Sequence, residues 1–162
     1  MKAVLISIRP EWCDLIARGE KTLEVRKTKP KIDTPFKCYI YCTKAPKGWF
    51  WLNFPNIRRD GVVIGEFICD AIIPISVKYS DVNSMVALRK FPFTCLTDKQ
   101  IIDYLGNGVT GYAWHISNLK IYEKPKKLSD FTGIKTMRDG FELRVLERPP
   151  QSWCYVEESY EE

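Results

Sequence analysis

Residues 19–26 read Gly-Glu-Lys-Thr-Leu-Glu-Val-Arg, and they place Lys21, Thr22, Glu24 and Arg26 within six positions. A lysine and an arginine can hold phosphate or carbonyl oxygens, a glutamate can accept from the amino group of a base, and a threonine adds a hydroxyl. The apolar Leu23 and Val25 alternate with these groups. Successive side chains of a strand leave opposite faces. Leu23 and Val25 are therefore expected in a core, with Thr22, Glu24 and Arg26 projecting together from the other face towards whatever lies outside it. A helix would scatter the same residues.

A second group lies in the stretch 43–59, where Trp49, Phe50, Trp51 and Phe54 are interleaved with Lys44, Lys47, Arg58 and Arg59. Aromatic rings stack on bases and cations hold phosphates, the general arrangement for single-stranded nucleic acid. The same rings could equally cover an open sheet edge, with at least one, Trp49 or Trp51, shaping a ligand cleft. His115 is the single histidine. It stands in an apolar context, without an adjacent acid, and reads as structural. No glycine-rich phosphate loop and no zinc-ligand spacing appear.

These residues need a frame. Ala3 to Ile8 reads as a short buried strand. Pro10 suits a first helical turn, Trp12, Leu15 and Ile16 form an apolar helical face, and Gly19 stops the helix. Lys21 then falls at a helix-to-strand junction. Phe36–Thr43 and Val62–Ile75 read as strands, with Gly65 marking a bulge or a close backbone approach. Glu66 and Asp70 are the only acids in the second of these. Thr97 and Gln100 form a capping box before a helix that ends at Gly106. Tyr112–Tyr122 is a further strand, the basic segment 124–140 is expected to be irregular, and Phe141–Leu146 and Ser152–Val156 are short strands. Short strands with one or two inserted helices predict a small closed or half-closed sheet in an α+β domain.

Bulk properties narrow the function classes. The chain has 162 residues, one domain's worth, and a net charge of +5. Setting aside the tail acids Glu157, Glu158, Glu161 and Glu162 raises the balance to +9. A basic body suits an anionic partner such as RNA or a nucleotide. No run approaches the roughly 18 apolar residues of a membrane span, and the apolar run at the N-terminus lacks a leader's features, so a cytoplasmic location with no membrane partner is expected. The six cysteines then read as reduced, buried thiols. Cys38 and Cys42 in particular lie about 13 Å apart on an extended strand, too far for one bridge or one ion.

In its order of elements and its motif the chain resembles the ASCH domain, a family of the PUA-like superfamily. Gly19, Lys21, Thr22, Glu24 and Arg26 match the family's Gly-x-Lys-Thr-x-Glu-x-Arg pattern, and weaker matches follow at Gly61–Ile68 and at Ala113, Trp114 and Ile116. The resemblance covers residues 1–122 and leaves 123–162 as a C-terminal elaboration packed on the same domain. It implies a small, mixed, PUA-like β-barrel with a few flanking helices and a cleft lined by the motif, associated with RNA or nucleotide binding. It also implies enzymatic alternatives: an amidohydrolase on N4-acylated cytidine, or a metal-dependent ribonuclease. In the amidohydrolase branch a lysine, a threonine and a glutamate act together. The lysine maps onto Lys21 and Glu66 is the candidate glutamate, but Glu24 stands where that branch has its threonine, with Thr22 as a partial substitute. If the protein is an enzyme, Lys21, Glu24 and Glu66 are the expected catalytic residues. A lysine base must shed its proton well below its ordinary value of about 10.4, and neighbouring carboxylates oppose that. Lys21 between Glu24 and Glu66 therefore reads as a charged anchor. No cofactor is expected; any metal would be magnesium or manganese held by Glu24 and Glu66. An interaction domain with a structural salt-bridge network is the remaining alternative.

Overall fold

The structure, a computed structural model, describes residues 1–47, 56–57, 59–76, 94–106 and 109–159. Eight strands form one sheet: β1 (Lys2–Ile8), β2 (Leu23–Arg26), β3 (Phe36–Cys42), β4 (Val62–Ser76), β5 (Thr110–Lys126), β6 (Thr132–Met137), β7 (Gly140–Val145) and β8 (Trp153–Glu157). Their order is β2-β5-β4-β3-β1-β8-β6-β7. The β1–β3 pair is parallel and the other pairs are antiparallel. Among the described residues β2 and β7 are not paired with each other, so the hydrogen-bonded sheet is open and the expected closure is absent from it. Two helices accompany it among those residues, α1 (Pro10–Ala17) and α2 (Asp98–Leu105). No helix among them is long and apolar enough to cross a membrane.

The sheet curls strongly. Three strands separate β2 from β1 in the order, which in a flat sheet would set them about 19 Å apart. Yet the Arg26 guanidinium on β2 donates to the Ser7 carbonyl on β1 at 2.6 Å. The inner face of this curl holds the largest core cluster, where Val4, Ile6 and Ile8 of β1 meet Cys13 and Ile16 of α1 and Trp114 of β5. Ala3, Leu5, Tyr39 and Tyr41 face the opposite side with Phe131 and Val156. A third cluster joins Leu23 and Val25 of β2 to Ile101 and Leu105 of α2.

Local signals explain how the chain enters β2. Gly19 takes a φ of +77°, its amide bonds the Ile16 carbonyl, and the Glu20 amide bonds the Leu15 carbonyl. This Schellman arrangement ends α1 and fixes the direction in which Lys21 leaves it. The Thr97–Gln100 capping box is present in full at the start of α2. Gly65 sits at a register shift of β4, and a Cβ there would collide with the Lys120 carbonyl. The segment expected to be irregular, 124–140, is instead the end of β5, a 3₁₀ turn at Leu128–Asp130, and β6 with its tight turn into β7. The C-terminal β8 is inserted between β1 and β6.

Candidate functional site

Lys21, Glu24 and Arg26 come together, but not as a surface row. Their relative exposures are 2%, 4% and 9%, so the charged side of β2 is as buried as its apolar side. This corrects the expectation that the row faces outward. The curl of the sheet covers it with α1, β1 and β5. The Lys21 ammonium donates to the Thr94 carbonyl and stands 5.4 Å from the centre of the Trp12 ring. It lies 3.3 Å from Glu24 Oε2, and Arg26 Nη1 lies 2.6 Å from Glu24 Oε1. Among the described residues two cations thus flank one carboxylate, an excess of one formal positive charge in a buried setting. Thr22 is half-buried at the mouth of the strand, and its carbonyl accepts from the Ile116 amide at 2.9 Å.

The cluster is incompletely satisfied. Glu24 Oε2, Arg26 Nε and Trp114 Nε1 are buried and have no hydrogen-bond partner among the described residues. The Lys21 ammonium stands against Oε2 as an ion partner at 3.3 Å without making a hydrogen bond to it. Trp114 sits directly across the β2–β5 ladder from Glu24 and is fully buried, so all three atoms belong to one face. From Trp114 an aromatic path runs outward. The half-buried Trp153 lies 6.0 Å from it, ring centre to ring centre, and Tyr155 follows at 5.3 Å with the Lys2 ammonium 5.4 Å from its ring. The sequence offered Trp114 only through its place in the family pattern. Its position opposite Glu24 depends on a pairing of distant segments and carried no local signal.

Glu66 is elsewhere. It stands opposite Tyr39, whose ring belongs to the core on the other face of the sheet. Its Oε2 accepts from the Tyr122 hydroxyl at 2.5 Å, and its Oε1 lies 3.6 Å from Lys37 Nζ, which also approaches Glu158 at 3.7 Å. The structure therefore does not unite Glu66 with Lys21 and Glu24 as a catalytic pair of carboxylates or as a metal site. No group of three or more potential metal ligands occurs among the described residues. Trp49 and Trp51 lie outside the described residues.

His115 does have an acid beside it. Its Nδ1 lies 2.6 Å from Asp70 Oδ1 on the neighbouring strand, in an exposed position. The hydrogen bond from His115 holds the Asp70 carboxyl below the usual carboxylate range. The thiols behave as small apolar groups. Burial pushes Cys13 and Cys38 well up, Cys69 to about 12 and Cys154 to about 11, far from the reactive thiolate range.

The family model of the ASCH domain matches residues 6–126, three quarters of the chain. The chain belongs to the ASCH domain family. The motif strand β2, the helix before it and the Trp114 strand all lie inside the matched region. This ASCH domain is similar in fold to the crystal structure of ASCH from Zymomonas mobilis, with a TM-score of 0.63, 23% identity, and coverage of 96% of this chain and 87% of that one. Structures of two variants of that protein, one with a tyrosine replaced by phenylalanine and one with a serine replaced by alanine, give the same TM-score and identity. The coverage carries the structural likeness past residue 126 into the C-terminal strands. No curated protein matches the sequence.

Proposed function

We propose that this ASCH domain binds RNA or a modified nucleotide, with the Lys21–Glu24–Arg26 cluster as its recognition centre. One observation carries the reading: among the described residues three buried polar atoms without a hydrogen bond lie on one face of the sheet, beside the buried cations Lys21 and Arg26. Each such atom costs about 1–3 kcal/mol while it stays unmet. Folded proteins tolerate few of them, and a ligand that supplies the missing partners is the physical reason to keep three on one face. Glu24 Oε2 offers an acceptor, whereas Arg26 Nε and Trp114 Nε1 offer donors. A base edge with one donor and two acceptors, as in cytosine, is the complement of that set. The surplus charge at Lys21 and Arg26 suits a carbonyl or phosphate oxygen, and Trp153 and Tyr155 give a neighbouring base a ring to stack on. The curl that brings Arg26 to Ser7 supports a PUA-like, barrel-derived cleft as the setting. Glu66 has no part in this reading, and a stacking role for Trp49 and Trp51 rests on the sequence alone.

Binding of short single-stranded RNAs and of free nucleosides, followed by calorimetry across a salt series, tests the proposal. Lys21→Met leaves the Glu24–Arg26 pair intact and removes the surplus charge. It should weaken binding roughly tenfold or more, as expected for loss of a charge-assisted contact, and flatten the salt dependence. Equal affinity in wild type and Lys21→Met would remove the cluster from the site. The same samples, incubated with N4-acylated cytidine and with RNA in the presence and absence of Mn²⁺, separate binding from hydrolysis. Product formation abolished by Lys21→Met would turn the reading into that of an enzyme.

A further inference from the structure

The far end of the sheet carries a feature unrelated to the buried cluster. β7 is an edge strand, paired on one side with β6 and on the other with no strand among the described residues. Its register with β6 runs without a bulge from Thr132↔Val145 to Met137↔Gly140. An edge of this kind is an open template for another strand, and proteins usually blunt it with a bulge, a proline or inward-pointing charge. Here the strand does the opposite. Phe141, Leu143 and Val145 alternate along one face at exposures of 67%, 46% and 52%, and Met137 on the same hairpin is exposed at 50%. The other face carries Glu142 and Arg144, which approach each other at 2.9 Å.

We propose that β7 is a homodimer interface, in which two copies pair their β7 strands antiparallel about a two-fold axis through Leu143. The charge pattern selects this partner and this register. A two-fold axis perpendicular to the sheet keeps each copy's apolar row on the same side, so the axis must pass through a residue position. Centred on Leu143, the pairing sets Phe141 against Val145 of the second copy and Glu142 against Arg144 of the second copy, twice over. Centred on Glu142 or on Arg144, it would set like charges face to face, which is unfavourable at directly opposite strand positions. A strand whose charges are opposite in sign and equidistant from its midpoint is complementary to itself, as an isologous contact requires. The contact joins two eight-stranded sheets into one continuous sheet and sets the apolar row of each beside that of its partner.

Sedimentation equilibrium of the full chain over a concentration series tests the proposal. Wild type should pass from the 18.9 kDa monomer to a species of twice that mass as concentration rises. Glu142→Arg and Arg144→Glu each place like charges opposite one another, so either variant alone should remain monomeric. Circular dichroism should show both folded, since the substituted side chains are solvated. An equimolar mixture of the two variants restores opposite charges across the axis and should dimerise again. A wild type that stays monomeric at every soluble concentration overturns the proposal. So do single variants that dimerise as wild type does, and so does a mixture that stays monomeric.

Discussion

Glu24 and Glu66 are two carboxylates on two strands of one sheet, and they do opposite things. Glu66 is partly exposed: one oxygen accepts from the Tyr122 hydroxyl, and the other has only a loose ion pair with Lys37 at 3.6 Å and access to water. Glu24 is buried between two cations and still has an oxygen with no hydrogen bond among the described residues. The difference lies in what the surroundings leave unmet. A carboxylate that reaches solvent can complete its hydrogen bonds with water and gains little from a ligand. One held in place by ion pairs, with an oxygen that makes no hydrogen bond in a medium of low dielectric, gains more from a donor.

Stability should separate the pair most. Glu24→Ala leaves Lys21 and Arg26 buried around nothing, and loss of one member of a buried ionic group costs about 3–5 kcal/mol. Glu66→Gln keeps an acceptor for Tyr122 and gives up only a partly solvated contact, so about 1 kcal/mol or less is expected. Urea denaturation of both variants measures this, and similar losses would mean that the two sites are energetically alike. Binding should divide them next. Where Lys21→Met loses roughly tenfold or more in affinity for RNA or nucleoside, Glu66→Gln should stay near wild type in the same titration. A comparable loss in Glu66→Gln would return Glu66 to the site.

The smallest effect concerns a third carboxylate, Asp70, which resembles Glu66 in being spent on a neighbour but is more exposed. Its folded-state value is depressed by the hydrogen bond from His115. The stabilisation it gives is therefore fully present above the ordinary carboxylate range of about 3.9 and is lost as pH falls through that range and below it. Solvent screening keeps it within a fraction of a kcal/mol to about 1 kcal/mol. The stability gap between wild type and Asp70→Asn should be measurable at neutral pH and should close in acid. A gap that widens in acid would reverse the assigned direction.

Much of the frame was legible because it is written locally. Pro10 and Gly19 bound α1, Thr97 and Gln100 start α2, and the alternation of Leu23 with Glu24 and Val25 with Arg26 makes β2 a strand. What the alternation does not carry is what covers each face. It separated charged from apolar side chains correctly, yet both sides of β2 are buried, because α1 and the curl close over the charged one. Glu66 was named through the resemblance alone; its place opposite Tyr39, on the other face from Glu24, depends on strand pairing that no local residue type marks. His115 lacked its acid because Asp70 is 45 residues away in the chain and adjacent only through strand pairing. β7 was legible as the strand Phe141–Leu146, but β6 was missed because Gly133 and Lys135 interrupt its apolar alternation in a basic stretch.

The placement of β8 has a consequence for how the molecule is made. β1 and β8 are far apart in the chain, yet they are neighbours, and among the described residues β8 is the strand that links β1 to the β6–β7 hairpin in the sheet. On the ribosome, the parallel β1–β3 pair and the antiparallel β3–β4 pair can assemble while β8 is still unmade. During that interval one side of β1 stays open in the middle of the future sheet, and β6 lacks its strand partner there. Such long-range pairing is slow, and an open central edge invites pairing with other chains. The final few residues of the fold thus act as a latch, and nascent chains halted before Trp153 should be the ones that chaperones retain.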